Sequence, residues 1–469
     1  MSRPEHLLYS LMFTFMLGAV ISTTATTQAL VQLVCRDRGI AQAACRKQGF
    51  SADEWDAIVA SATGWSEWVL VAKTLPAALV ACSGGFLSDR VGRRWLLLAP
   101  VLGELLWATA IVLVLALRCP LYVLPVAALL SGISGSVSFF LGLSFAALAD
   151  VSSAAGDTTS TKRAKFSVLD GALHLGSTAG PLLAGTSISR LGSYQAPFFV
   201  SMGVLAVSAI LLFSIPWAHR CTPKQAHLAS PDASPRRIRT ALADAMPWRV
   251  AARAFGSSRT QQRLLLVLAP YALCFFGWLY VIILFLKARF GLGPDAIGQQ
   301  LAVAGALRAV SNFLFARFSR EGSALHWVSH RRALQASMAS LALYFLALAF
   351  ADAAWQLYPA GLLMGVGALA APLLRGLFSN AVPPARQGET LSAVAGVESA
   401  MQVVASVVFL ELYKRTLTMW SGFAWATATI IMVFVTAVLA IADVNITRSS
   451  AVRRGDGEHA KSIEPLLEA

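Results

Sequence analysis

Twelve continuous apolar stretches recur along this chain, each close to the length that a helix needs to cross a bilayer. Their approximate limits are 7–32, 64–87, 95–117, 121–148, 166–189, 196–217, 263–286, 297–317, 333–351, 356–378, 392–413 and 420–443. About 20 apolar residues at 1.5 Å per residue span the hydrocarbon core. The stretches are continuous, whereas barrel strands alternate apolar and polar residues over about ten positions, so they predict helices. With 57% hydrophobic and only 13% charged residues, a soluble fold could not hide the apolar surface. The prediction is an all-α polytopic membrane protein, and a soluble enzyme is excluded. The first stretch is too long for the core of a cleavable signal and reads as the first membrane helix.

The spacing of the stretches divides the chain in two. A polar segment with Pro223, Pro231, Pro235 and several arginines separates the sixth from the seventh. This predicts a six-helix half over 1–217, a basic cytoplasmic linker over 218–262, a second six-helix half over 263–443 and a polar tail over 444–469. The net charge of +14 follows the loops. With both termini inside, the inner segments hold 25 Lys and Arg against 10 in the outer loops, which the positive-inside bias favours. The charge is thus explained by topology rather than by nucleic acid, for which no binding module is present. The sequon Asn445-Ile446-Thr447 falls on the cytoplasmic side and is expected to stay unglycosylated.

The segment after the second stretch, Gly84-Gly85-Phe86-Leu87-Ser88-Asp89-Arg90-Val91-Gly92-Arg93-Arg94, carries physical demands of its own. Gly85 permits close helix approach, Gly92 a turn that a Cβ resists, and Asp89 meets the positive end of a neighbouring helix. Arg90, Arg93 and Arg94 hold the loop inside. The run resembles the signature of the major facilitator superfamily in sequence and in place. The resemblance implies twelve helices in two pseudo-symmetric halves, and a cytoplasmic latch between them with Asp150 as the acidic partner of the basic cluster. The matching loop of the second half, Ala316-Arg317-Phe318-Ser319-Arg320, lacks the acid and the glycines, which makes the latch one-sided. Gly176-Ser177-Thr178-Ala179-Gly180-Pro181-Leu182-Leu183-Ala184-Gly185 in the fifth stretch resembles part of a motif of drug/proton antiporters. Small residues four apart also simply permit tight helix contact.

Leu30 to Arg36, Cys45, Gly64-Trp65, Gln387-Gly388-Glu389, Gly396-Val397-Glu398 and Leu412-Tyr413 look like solute carrier family 46, the family of the proton-coupled folate transporter, and its fungal relatives. This implies proton-coupled uptake without carrying folate over as the substrate. Cys35 and Cys45 lie in one outward-facing loop. They close a short structural disulfide there or remain two free thiols.

Charges inside the spans are costly and mark function by default, a fixed ion pair being the alternative. Lys73 lies deep in the second span and needs an acid or a wet cavity. Asp170 and His174, four apart on the fifth, share a helix face and suit a proton relay. Arg308, midway along the eighth, offers a fork to a carboxylate or phosphate. Arg375 and Glu398 are placed to pair across the hairpin of spans ten and eleven, as gate or structure. Glu104 in the third span has no evident partner, and Tyr271, Trp278 and Tyr280 suit a cavity wall or an interfacial belt. There is no P-loop, G-x-S-x-G, H-E-x-x-H or C-x-x-C, so no ATP site, metal or cofactor is expected. The sequence predicts a monomeric secondary transporter that moves a small organic solute, an anion if Lys73 and Arg308 face the cavity, by proton symport. Proton antiport exporting a drug or metabolite, and a non-transporting receptor, are the alternatives. No address distinguishes a plasma membrane from a vacuolar or endosomal one.

Overall fold

The computed structural model describes residues 3–40, 45, 50–157, 159–215, 249, 255–256, 259–318, 330–382 and 387–440. The linker and the tail, with Asn445, therefore lie almost wholly outside the described residues. So do the side chains of Gly85, Asp89 and Arg90.

The first half contains α1 (Arg3–Asp37), α2 (Ala52–Val91), α3 (Arg93–Ala116), α4 (Val123–Ile133), α5 (Ser136–Ala154), α6 (Thr159–Leu191) and α7 (Ala196–Ser214). The second contains α8 (Arg259–Phe290), α9 (Pro294–Phe318), α10 (His330–Ala349), α11 (Leu357–Gly367), α12 (Ala370–Asn380), α13 (Gln387–Thr416) and α14 (Phe423–Ala440). No strand occurs among the described residues. Ten stretches are long and apolar enough to cross a membrane by length and composition. The two other long helices are α2 and α6, which carry Lys73, Asp170 and His174.

Two helices begin earlier than hydropathy indicates, because polar residues extend a helix beyond the bilayer at no cost. α2 starts at Ala52 rather than near 64. There the Ser51 hydroxyl accepts a bond from the Glu54 N–H, and the Glu54 carboxylate accepts from the Ser51 N–H and hydroxyl. This capping box satisfies orphan helix donors, and the two Ser51 bonds hold the Glu54 carboxyl below the usual range. α6 starts at Thr159 rather than near 166. Lys165 there binds Glu5 of α1 at 2.9 Å and also Asp157, which pins the N-terminal ends of α1 and α6 together.

The pseudo-symmetry is visible in matching irregularities. The fourth span breaks between α4 and α5, where Gly135 has φ 97° and Ser136 φ 54°. The tenth, its counterpart, breaks between α11 and α12 at Ala368–Leu369. Interrupted helices at corresponding places in two repeats point to the substrate path. The sixth and twelfth spans, α7 and α14, are each only 33% buried. Ile210, Ile430 and Phe434 on them are exposed, which fits lipid-facing positions.

Contacts between the halves run α6 to α9, α2 to α13 and α5 to α13. At Gly142 of α5 a Cβ would lie 2.6 Å from that of Ala395 of α13, so these two helices touch directly. Farther along the same pair, Gln402 donates to Ser138. Near the C-terminal end of α1, Cys35 and Cys45, both buried, are joined as a disulfide.

Candidate functional site

α6 and α9 meet along their lengths, and glycine makes the contact possible. A Cβ on Gly185 would stand 2.5 Å from the Pro294 carbonyl, one on Gly298 2.6 Å from that of Pro181, one on Gly305 2.7 Å from Thr178 Oγ1, and one on Gly171 2.8 Å from the Phe313 ring. Rising numbers on α6 pair with falling numbers on α9, so the helices are antiparallel. Gly176 and Gly180 face α1 instead, against Phe13, Leu17 and Val20. The glycine-rich run thus packs α6 against a neighbour in each half.

The α6 residues that meet α9 are Gly171, Thr178, Pro181 and Gly185, spaced seven, three and four apart. His174 falls on the same stripe, three after Gly171 and four before Thr178. On α9, Gly298, Gly305 and Asn312 are seven apart, and Arg308 lies between the last two. His174, Arg308 and Asn312 therefore occupy the seam between the halves, bracketed by the Thr178–Gly305 and Gly171–Phe313 contacts.

Around this level the structure gathers a buried polar cluster. His174 Nε2 is 3.1 Å from Asp170 Oδ2. Arg375 Nη1 is 3.6 Å from Asp170 Oδ1. Its Nη2 donates to both Glu398 oxygens, at 2.9 and 2.8 Å, and its guanidinium stands 4.5 Å from the centre of the Phe145 ring. Each of these ionisable residues is at most 6% exposed. Asp170 and Phe145 belong to the first half, Arg375 and Glu398 to the second, so one arginine ties the halves together through an acid from each.

Arg308 is different. It is 6% exposed, and its guanidinium lies 5.1 Å from the Trp278 ring centre. Its Nε–H points to the Ala304 carbonyl at 3.4 Å. The Trp278 indole N–H in turn donates to the Tyr344 hydroxyl at 2.9 Å. Asp170 is within electrostatic reach, but among the described residues no carboxylate lies within ion-pair distance of Arg308. Beside Trp278 a cavity of about 10 Å³ is lined by Gln300, Ala304 and Tyr344, room for about one water. Tyr271, on α8, lies near Asp170 and both arginines.

Lys73 is not part of this cluster. Its Nζ is 2.8 Å from Glu104 Oε1 and 2.9 Å from Oε2, and 5.5 Å from the Trp107 ring centre. The structure thus places it in a pair between α2 and α3 rather than beside Arg308. The pair neutralises both charges within one half. We expect Lys73→Met alone to lower stability by about 2–3 kcal/mol, because Glu104, 1% exposed, then has to bind a proton or remain an unpaired charge. Lys73→Met with Glu104→Leu should recover most of that loss. Thermal unfolding of the purified variants checks this, and a double variant as unstable as the single one would contradict it.

At the turn between α2 and α3, Arg93 Nη2 is 2.6 Å from Asp150 Oδ2. Arg94 stacks on Phe213 at 4.3 Å and donates to its carbonyl at 3.0 Å. Gly92, with φ 92°, turns the chain between α2 and α3 in a single residue.

Asn312, Tyr344 and Phe145 were not among the candidates read from sequence. Asn312 had a signal, since it lies one turn beyond Arg308. Tyr344 and Phe145 carry no such signal, because nothing in a sequence says which aromatic meets a given cation. The Lys73–Glu104 pair is separated by 31 residues and was equally hidden.

The model described as Major Facilitator Superfamily matches residues 7–406. The class C tetracycline resistance protein of Escherichia coli is 27% identical over 347 residues, 73% of this chain and 78% of that protein. The proton-coupled folate transporter of Rattus norvegicus is 26% identical over 355 residues, 72% and 70% of the two chains. The solved structure of the human organic anion transporter MFSD10 (TETRAN) superposes with a TM-score of 0.68 at 18% identity, covering 93% of this chain and all of that one; at this identity the likeness shows the fold. With a family match across most of its length and two six-helix halves, the chain belongs to the Major Facilitator Superfamily and is an integral, multi-pass membrane transporter.

Proposed function

We propose that the protein imports a small organic anion by proton symport, through alternating access of the seam between its halves. The observation that carries this reading is Arg308. Within the cluster Arg375 engages both acids, which leaves Arg308 buried without a carboxylate partner among the described residues. A substrate carboxylate or phosphate supplies the missing charge, and arginine's planar fork matches either. Trp278 gives the same ligand an aromatic wall.

Asp170 and His174 are the proton site. A proton on this pair weakens the attraction of Asp170 for Arg375 and so loosens a contact that holds the halves together. Proton binding and opening are then linked through one ion pair, because a ligand shifts an equilibrium only by its differential affinity for the two states. The likeness to the proton-coupled folate transporter supports the coupling to protons.

With both termini cytoplasmic, Arg93–Asp150 belongs to the inner latch together with Asp89 and Arg90, and the linker and tail are cytoplasmic. The protein acts as a monomer, because each chain supplies both halves of the seam.

The second reading is outward antiport. It is favoured by the likeness to tetracycline resistance proteins, and it uses the same charges with the gradient reversed. Proteoliposomes with an imposed pH gradient separate the two. Folate, aliphatic dicarboxylates and tetracycline are presented in turn. Accumulation that requires an acidic outside supports symport, whereas accumulation driven by an acidic lumen establishes antiport. If no gradient moves any of them, proton-coupled transport of these compounds is rejected.

A further inference from the structure

We infer that Asn312 is a positioning residue for the proton site, accepting a hydrogen bond from protonated His174 across the seam between the halves. The inference rests on the reading of Asp170–His174 as the proton-binding pair.

Among the buried atoms at this level that accept or donate no hydrogen bond are Asn312 Oδ1, His174 Nδ1 and Asp170 Oδ2, and the first two lie on facing helices. Asn312 is fully buried. Its Nδ2 donates to the Arg308 carbonyl at 3.1 Å, which fixes the amide orientation, and its Oδ1 accepts from nothing. His174 is 4% exposed. Its Nε2 faces Asp170, and its Nδ1 has no partner. With Nε2 carrying the hydrogen toward Asp170, neutral His174 presents Nδ1 as an acceptor. Asn312 Oδ1 and this Nδ1 are thus two acceptors for which the described residues supply no donor. One added proton, on Nδ1, turns one of them into a donor and satisfies both.

The register puts them together. His174 lies between Gly171 and Thr178, and Asn312 between Gly305 and Phe313; these are the pairs that touch. The bond from Asn312 to the carbonyl four residues earlier turns its side chain back along α9, toward the level of Arg308 and His174.

The charges facing His174 are Asp170 on its own helix, Arg308 on α9 and Arg375 on α12. α7 carries no charged residue. Among the acids of neighbouring helices, Glu5 on α1 is bound by Lys165 and Asp150 on α5 by Arg93, both at the inner end. Two arginines near an imidazolium oppose its charge, so an added acceptor matters more here than in water. The bond also joins α6 of one half to α9 of the other. Protonation thus has two effects on the seam, loosening Asp170 from Arg375 and fastening His174 to Asn312, and so exchanges one contact between the halves for another.

The test uses the full-length protein in lipid nanodiscs, with histidine labelled with ¹⁵N and the His174 signal identified by its loss in His174→Gln. The ring nitrogens are followed from pH 4 to 9 with no substrate present. Asn312→Leu should move the His174 midpoint down by about one pH unit, a tenfold loss of proton affinity, and Asn312→Gln should return at least half of that shift. An unchanged midpoint in a folded Asn312→Leu overturns the inference. In the wild type, labelling asparagine as well should give a Nδ1–Asn312 proximity signal below the midpoint and none above it. Its absence below the midpoint also overturns the inference and needs no variant. If His174 does not titrate at all in this range, the proton-site reading itself fails, a result distinct from titration that ignores Asn312.

Discussion

Arg375→Ala will unfold at a markedly lower temperature than the wild type in detergent or nanodiscs, with a loss of about 3–5 kcal/mol. The reason is that two acids lose their partner at once. Glu398 gives up two charge-assisted hydrogen bonds and Asp170 its 3.6 Å contact. Each acid is at most 4% exposed, so water cannot replace what is lost. Arg375→Lys should recover only part of the loss, because an ammonium cannot reproduce a planar fork that reaches Glu398 and Asp170 together. Thermal unfolding measured in parallel on the three proteins checks this. A wild-type midpoint for Arg375→Ala would mean that the cluster is not what holds this level of the bundle together.

Arg308→Ala will do the opposite. Uptake of an organic anion that the wild type accumulates should fall roughly 100-fold, in the range expected when a desolvated charge partner is removed from a ligand. The unfolding midpoint should stay unchanged or rise. No carboxylate among the described residues is paired with Arg308, so its removal strands none of them, and a buried cation without a partner is costly to keep. Two buried arginines on helices of the same half thus have contrasting surroundings, one paired with acids and one set against an aromatic ring. Arg308→Lys keeps the charge but not the fork, and should raise KM more than it lowers the maximal rate. Equal uptake by Arg308→Ala and wild type would remove Arg308 from the substrate site. A strong loss of stability would make it a structural charge instead.

What could be read from the sequence follows from how local each cause is. The spans and their division into two sets of six rest on hydropathy over about 20 residues, a property of contiguous chain. The family was legible because Gly84 to Arg94 form one short run. The candidates Asp170, His174, Arg308, Arg375 and Glu398 could be named because a charge within an apolar run is conspicuous and costly wherever it finally sits. The pairing of Arg375 with Glu398 was legible for a similar reason, since the two lie on consecutive spans at the same end.

Tertiary structure alone decided which of the other charges meet. Lys73 and Arg308 look alike in sequence, each a single cation deep in an apolar stretch. The fold supplies Lys73 with Glu104 from the adjacent helix and leaves Arg308 with an aromatic face. Whether a buried cation is neutralised depends on helix rotation and neighbour choice, which bring together residues 31 or more positions apart. The same holds for the seam. The glycines of the fifth span announce close packing, but that they fit α9 on one side and α1 on the other is a property of the assembled bundle. The sequence determined a two-half membrane transporter and its costly charges. The fold determined that Arg375 meets Glu398 and Asp170, that Arg308 lies against Trp278, and that His174 lies on the line along which the halves meet, because only packing in three dimensions fixes the partner of a desolvated charge.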